Sequence, residues 1–121
     1  MTKILVVDDE FLVAETVTYL LEDEGYEVAQ ASHGRQALAM IQADRPALVI
    51  TDFMMPLMTG LELAQALKAL PEYRDLPIIL MSGAQGAIAR DHHDFFAAVF
   101  DKPFQNQLLL DQVRNLIDLP Q

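Results

Sequence analysis

Four ionisable side chains in this chain each follow a short apolar run, and together they could form a small ionic site. Asp8 and Asp9 end one of these runs, and Asp52 ends another. Lys102 follows a third run. Carboxylates at the ends of buried strands lie where open α/β sheets hold their ligands. The expected chemistry is therefore that of acidic groups gathered around a cation.

Three carboxylates held close together repel one another, and each raises the pKa of the others unless a positive charge offsets them. Mg²⁺ prefers oxygen ligands and commonly takes one or two carboxylates together with waters and phosphate oxygens. The alternative is that Asp8 and Asp9 only cap the first helix, where negative charge is favourable. Because Asp52 and Lys102 follow other strands, we favour a Mg²⁺ site.

A lysine and a hydroxyl complete the set of groups. Lys102 could neutralise Asp52 at rest and bind a phosphoryl oxygen later, or it could be a solvated loop residue. Ser82 ends another apolar run and could either cap a helix or donate a hydrogen bond to an anionic group held at Asp52. These groups suit phosphoryl transfer to a carboxylate, with Asp52 as the attacking group. No histidine pattern indicates a catalytic triad.

Strand and helix patterns alternate along the whole chain. Predicted strands occupy 3–7, 26–30, 47–51, 78–81 and 97–100, and predicted helices occupy 11–24, 34–43, 59–70, 86–94 and 104–118. Gly25 is expected to close the first helix, and Ser32 to cap the second. The second strand is poorer in apolar residues and is therefore expected at an edge of the sheet.

This alternation predicts an α/β fold with a parallel sheet covered on both faces. We expect a single (βα)5 doubly wound, flavodoxin-like domain over residues 1–121, with strand order 2-1-3-4-5. The switch point of that order lies between the first and third strands. It would bring Asp8 and Asp9 beside Asp52.

Composition narrows the functional classes. The 121 residues are 52% hydrophobic, which fits one globular domain. No apolar run is long enough to cross a bilayer, the N-terminus lacks a signal-peptide layout, and a cytoplasmic protein is expected. There are no cysteines, so disulfides and thiolate chemistry are excluded. The net charge of −10 argues against nucleic-acid binding.

Four motifs in order resemble those of the receiver domain of bacterial two-component response regulators, as in chemotaxis regulators. They are Val7-Asp8-Asp9-Glu10, then Asp52-Phe53-Met54-Met55-Pro56-Leu57-Met58-Thr59-Gly60, then Ser82, then Lys102-Pro103-Phe104. The resemblance runs from about residue 2 to residue 118. It implies that Asp52 accepts a phosphoryl group from a histidine kinase or a histidine phosphotransfer protein.

The resemblance also implies roles for the surrounding residues. Asp9 would bind Mg²⁺ directly, and Asp8 would act largely through water. The main-chain carbonyl of Met54 would supply a further metal ligand. Ser82 and Lys102 would contact the phosphoryl oxygens.

A receiver domain is a phosphorylated signalling switch and not an enzyme beyond slow self-dephosphorylation. The resemblance implies that a downstream protein binds the face built from the fourth and fifth predicted helices and the fifth strand. The family usually has an aromatic residue three positions before the lysine, where this chain has Val99. The chain therefore departs from the family at the position of that aromatic switch. Whether the domain stands alone or belongs to a larger regulator is open.

Two other functions remain as alternatives. One is a phosphatase with an aspartate nucleophile, although such enzymes usually carry a second acid two residues later, where this chain has Met54. The other is a flavodoxin-like cofactor binder. Its first loop would need groups that attract phosphate, whereas Asp8-Asp9-Glu10 repels one without a metal.

Overall fold

The computed structural model describes residues 2–83 and 91–117 of the chain. The strands are β1 (Lys3–Val7), β2 (Glu27–Ala31), β3 (Leu48–Asp52), β4 (Ile78–Ser82) and β5 (Ala98–Asp101). The α-helices of the described residues are α1 (Phe11–Asp23), α2 (Gly34–Ala43), α3 (Gly60–Lys68) and α4 (Asn106–Ile117). Short 3₁₀ turns cover Pro71–Tyr73 and His93–Phe95.

The five strands form one parallel sheet in the order β2-β1-β3-β4-β5, which confirms the predicted fold. Because every pair is parallel, the carboxyl ends of all five strands meet at one edge of the sheet. Val7 of β1 pairs with Thr51 of β3. The residues that follow them, Asp8 and Asp52, therefore emerge at the same level on neighbouring strands.

Helices cover both faces of this sheet. Strands β3 and β4 are buried along their whole length, which explains why their sequences read as continuous apolar runs. One core layer lies under α1 and α4, and the opposite layer lies under α2 and α3. Strand β2 is half-exposed at the edge of the sheet, as its composition predicts.

The ends of the first two helices test two predictions about capping. Gly25 has a φ of +96° just beyond α1, as expected for a glycine that ends a helix. The prediction that Ser32 caps α2 is wrong. The helix begins at Gly34, so His33 occupies the capping position and its Nδ1 accepts a hydrogen bond from the Gln36 amide at 3.2 Å. Ser32 lies one residue too early to cap the helix.

The other helices agree with the sequence pattern apart from their limits. Helix α3 starts with a capping box in which Thr59 and Glu62 satisfy each other's backbone amides. Helix α4 begins two residues later than predicted. Residues 86–90 of the predicted helix at 86–94 lie outside the described residues. Asp91 is helical, and a 3₁₀ turn follows at His93–Phe95. None of the described helices has the length and apolarity needed to span a membrane.

Candidate functional site

Three strand ends bring two acids and one base into contact. Asp52 is the last residue of β3, Asp8 directly follows β1, and Lys102 directly follows β5. The Nζ atom of Lys102 lies 2.9 Å from Oδ1 of Asp52 and 3.6 Å from Oδ2 of Asp8. Because both carboxylates are buried, this ammonium group pairs with two charges that water screens poorly.

The backbone around Lys102 is tied to the neighbouring strand. The amide of Lys102 donates to the carbonyl oxygen of Ser82 at 2.6 Å. The Lys102–Pro103 peptide bond is cis. The hydrogen bond between Lys102 and Ser82 places Lys102 beside the end of β4, which lies between β5 and β3.

Ser82 is the last residue of β4 and is fully buried. Its hydroxyl has no hydrogen-bond partner within the described part of the chain. Met81, the residue before it, pairs with Asp52 across the sheet. A buried hydroxyl without a partner costs free energy, so this position suits an incoming anionic oxygen.

Asp8 is held in an environment that favours its neutral form. Its Oδ1 accepts a hydrogen bond from the Glu10 amide at 2.9 Å, whereas its Oδ2 is buried without a hydrogen-bond partner among the described residues. Burial raises the pKa of Asp8 to about 6, the Glu10 amide offsets part of that increase, and the charge of Asp52 adds to it. A bound cation would remove this penalty.

The pKa values of Asp52 and Lys102 respond to the same burial. Burial raises the pKa of Asp52, and the hydrogen bond from Lys102 opposes the increase. For Lys102, burial alone would lower the pKa, but the hydrogen bond and charge of Asp52, with the charge of Asp8, raise it overall. Lys102 therefore stays protonated, while the acids around it carry more negative charge than one ammonium group can balance.

The carboxylate oxygens of Asp8, Glu10 and Asp52 lie within 4.8 Å of one another, a spacing that could hold a metal ion. Oδ2 of Asp8 accepts no hydrogen bond from the described residues, although it lies 3.6 Å from Nζ of Lys102. This acceptor and the excess of carboxylates over cations both fit a hard divalent cation bound by oxygen atoms. The arrangement at the carboxyl edge thus agrees with the Mg²⁺ chemistry expected from the sequence.

Glu10 was not predicted as part of the site, and Asp9 lies outside the oxygen cluster. Asp9 is exposed, and with Asp8 it borders a cavity of about 210 Å³. The charge of Asp9 nevertheless contributes to the raised pKa of Asp52. Glu10 directly precedes α1 as its N-cap residue, so the turn into the helix directs it back to the strand ends. The sequence signal that could have identified Glu10 as a site residue is its position directly after Asp8-Asp9.

The loop from β3 to α3 packs tightly against the backbone of Asp52. The amide of Gly60 donates to the carbonyl oxygen of Phe53 at 2.8 Å. A Cβ atom at Gly60 would lie 2.3 Å from the carbonyl oxygen of Asp52, so only glycine fits there. Two exposed side chains, Met54 and Leu57, lie on this loop, and Leu57 adopts a φ of +72°.

Comparison with known proteins agrees with this fold. Residues 4–114 match the model of the response regulator receiver domain. The chain belongs to this family and is a receiver domain of two-component signalling.

Curated relatives include the response regulator MprA of Mycolicibacterium vanbaalenii, which is 37% identical over 118 residues, covering 95% of this chain and 50% of that protein. MprA of Mycobacterium avium is 36% identical with the same coverage. The chain therefore spans about half the length of the curated relatives it matches.

Solved structures with the same fold come from several signalling proteins. The chemotaxis protein CheY4 of Vibrio cholerae has a TM-score of 0.88 and 32% identity, over 97% of this chain and 99% of that chain. The response regulator TrrA of Thermotoga maritima, in complex with Mg²⁺ and BeF, has a TM-score of 0.86 and 32% identity, over 97% and 100%. A receiver domain of a Syntrophus aciditrophicus histidine kinase has a TM-score of 0.90 and 30% identity, over 98% and 91%.

Proposed function

We propose that Asp52 accepts a phosphoryl group from a phosphohistidine carried by a histidine kinase or a histidine phosphotransfer protein. The observation that carries this proposal is the contact of one ammonium group, on Lys102, with two buried carboxylates at the ends of separate strands. A buried arrangement of this kind is costly for folding alone, and such perturbed sites are concentrated where chemistry occurs.

The positions of these groups support a direct transfer to Asp52. One carboxylate oxygen of Asp52 attacks phosphorus as the N–P bond to the donor imidazole breaks, and the bonding pair returns to the ring nitrogen. The product is a mixed anhydride on Asp52. Lys102 is held beside that carboxylate and stabilises charge on the phosphoryl oxygens. Ser82, whose buried hydroxyl has no hydrogen-bond partner among the described residues, donates to another of these oxygens.

Mg²⁺ is the cofactor that this site would hold. The oxygen cluster of Asp8, Glu10 and Asp52 could hold it. Asp9 and the main-chain carbonyl of Met54 are proposed as further ligands because the family resemblance implies them. When bound, the ion would neutralise the acids and offset charge on the transferring phosphoryl group. The Mg²⁺ and BeF complex of TrrA, at 32% identity, supports this assignment.

The biological output is a change of protein contacts and not turnover of a substrate. Slow hydrolysis of the aspartyl phosphate would reset the switch. The face that includes β5 and α4 is the proposed contact for a downstream protein, with no binding of nucleic acid or membrane by this domain. We place the domain in the cytoplasm, where a kinase or phosphotransfer protein could reach it. Residues 1–121 are proposed to form one receiver domain.

Because position 99 holds valine, no aromatic side chain at this position can transmit a conformational change from the site. Val99 is half-buried and packs against a small cluster formed by Phe53 and Leu80, together with Phe96. Phe53 directly follows the proposed phosphoacceptor. Packing changes around Asp52 could therefore reach β5 through this cluster without an aromatic side chain at position 99.

Incubation with acetyl phosphate and Mg²⁺ tests the proposal. We expect intact-mass spectrometry to show one added phosphoryl group on the natural chain and none on Asp52→Ala. The matched control is Asp75→Ala, which removes an exposed aspartate on the amino-terminal side of β4, away from the carboxyl ends of the strands, and should react normally. Equal incorporation into the Asp52→Ala variant would exclude Asp52 as the acceptor.

A further inference from the structure

The peptide that joins Asp52 to Phe53 is held on several sides. The Phe53 amide donates to the carbonyl oxygen of Met81 at 3.0 Å, and the Phe53 carbonyl accepts from the Gly60 amide at 2.8 Å. The carbonyl oxygen of Asp52 faces Gly60 so closely that no side chain would fit. These contacts fix the backbone from which the proposed phosphoacceptor projects.

A further contact to this peptide comes from Thr51, the residue before the phosphoacceptor. Thr51 is fully buried in β3, and its hydroxyl donates to the carbonyl oxygen of Asp52 at 3.0 Å. The hydroxyl oxygen of Thr51 also lies 3.9 Å from the sulfur of Met55. A thioether is a weak acceptor, so the single hydroxyl proton belongs to the carbonyl. Thr51 thus touches both ends of the segment that carries Asp52 into the loop.

A hydroxyl at this position is not explained by packing alone. A fully buried strand position beside Val49 and Ile50 would accept valine, which has a similar shape and no polar atom to desolvate. Threonine and valine are not equivalent in a core because the hydroxyl needs a partner. Here that partner is the main-chain carbonyl of Asp52, the proposed phosphoacceptor, whose orientation matters for phosphoryl transfer.

We propose that Thr51 is a positioning residue for phosphoryl transfer. Its hydroxyl holds the main-chain carbonyl of Asp52, and through that peptide it sets the direction of the Asp52 carboxylate and the start of the loop that contains Met54. This proposal rests on the function proposed above for Asp52. Small displacements of a reacting group lower rates strongly, so loss of this hydrogen bond should slow the reaction without removing any reacting group.

Three substitutions at Thr51 separate positioning from packing. Thr51→Val keeps the volume and loses the hydroxyl, Thr51→Ser keeps the hydroxyl and loses a methyl group, and Thr51→Cys supplies a weak donor. The matched control is Thr18→Val, at a buried threonine on α1 whose hydroxyl oxygen accepts from Gln30 at 2.9 Å. The readouts are the rate of phosphorylation by acetyl phosphate, the Mg²⁺ affinity by calorimetry, and unfolding in urea.

We expect Thr51→Val to slow phosphorylation by about tenfold. Thr51→Ser should react at close to the natural rate even though its stability falls, and Thr51→Cys should lie between the two. Thr18→Val should lose stability and keep its rate. Mg²⁺ affinity should fall in Thr51→Val and not in Thr51→Ser.

Two results would overturn the positioning role. One is a Thr51→Val variant that reacts at the natural rate, and the other is a Thr51→Ser variant that is slowed as much as Thr51→Val. If the natural chain is phosphorylated, either result refutes only the positioning role of Thr51. A natural chain that takes up no phosphoryl group would instead refute the proposed function of Asp52, and the role of Thr51 with it.

Discussion

Lys102 Nζ reaches across the end of β4 to lie 2.9 Å from Oδ1 of Asp52, so one ion pair joins the ends of β5 and β3. The same ammonium group lies 3.6 Å from Asp8. This lysine is the shared counter-ion of both buried acids, and its removal should affect folding and chemistry together.

Lys102→Met should slow phosphorylation by acetyl phosphate by at least about tenfold, because a donor aimed at the phosphoryl oxygens is lost. It should also destabilise the metal-free protein at neutral pH, since two buried carboxylates lose their counter-ion. The rate is measured by mass spectrometry and the free energy of unfolding in urea. Lys3→Met is the control, because Lys3 pairs with the exposed Asp44 and has the same exposed side-chain fraction, 24%. Similar effects of both variants would contradict the assignment.

The raised pKa of Asp8 predicts an unusual dependence of folding stability on pH. Because its pKa is raised to about 6 in the folded state, the folded chain binds a proton more tightly than the unfolded chain does. In metal-free buffer, its contribution to stability is therefore lost as pH rises from the ordinary carboxyl range through about 6. Asp52, whose pKa is also raised, acts in the same direction.

Replacement of Asp8 by asparagine should increase the free energy of unfolding at neutral pH and flatten this pH dependence. The asparagine oxygen still accepts from the Glu10 amide, which removes the charge and keeps the hydrogen bond. Added Mg²⁺ should stabilise the natural chain above about pH 6 and stabilise Asp8→Asn less. Urea titrations at several pH values check this. A natural chain that becomes more stable over this pH range without metal would show that the burial argument is wrong.

Leu57 carries backbone strain in the loop between β3 and α3. Its φ of +72° lies in the left-handed region, where a non-glycine residue costs about 1–2 kcal/mol, and its side chain is exposed. Leu57→Gly should therefore stabilise the chain by about 0.5–1 kcal/mol after the added entropy of glycine in the unfolded state is subtracted. Leu57→Ala keeps the Cβ atom and should show no such gain in urea unfolding. A gain from alanine as large as that from glycine would argue against strain.

Two adjacent residues, Ser32 and His33, have different roles at the N-terminus of α2. His33→Ala removes the acceptor of the Gln36 amide and should lower the free energy of unfolding by about 1 kcal/mol, whereas His33→Ser restores a capping oxygen. Ser32→Ala should cost less, because the exposed Ser32 hydroxyl donates to the side chain of Gln36 and not to the backbone of the helix. Thermal and urea unfolding of the three variants give the comparison. A larger loss from Ser32→Ala would mean that the cap is assigned to the wrong residue.

Much of this architecture was predictable because the strongest physical signals were local. Continuous apolar runs identified the buried strands, and the helical spacing between them indicated parallel strands, for which 2-1-3-4-5 is one of the few allowed orders. Once that order was set, the acids at the ends of β1 and β3 had to be neighbours. The convergence of Asp8, Asp52 and Lys102 then follows from topology alone.

The parts that were not predicted depend on geometry within turns. Whether Ser32 or His33 caps α2 is decided by a shift of one residue in the turn before the helix. The approach of Glu10 to Asp8 and Asp52 depends on how the chain enters α1. Neither the left-handed Leu57 nor the hydrogen bond from Thr51 leaves a periodic trace in the sequence, because each depends on tertiary packing.

The central claim concerns one carboxylate, and chemical trapping tests it directly. An aspartyl phosphate is an acyl phosphate, so borohydride reduction converts the modified aspartate to homoserine. After reaction with acetyl phosphate and Mg²⁺, reduction and proteolysis, tandem mass spectrometry should find homoserine at position 52 in place of Asp52, and not at the neighbouring Asp8 or Asp9. Homoserine at another carboxylate, with position 52 unmodified, would contradict the account.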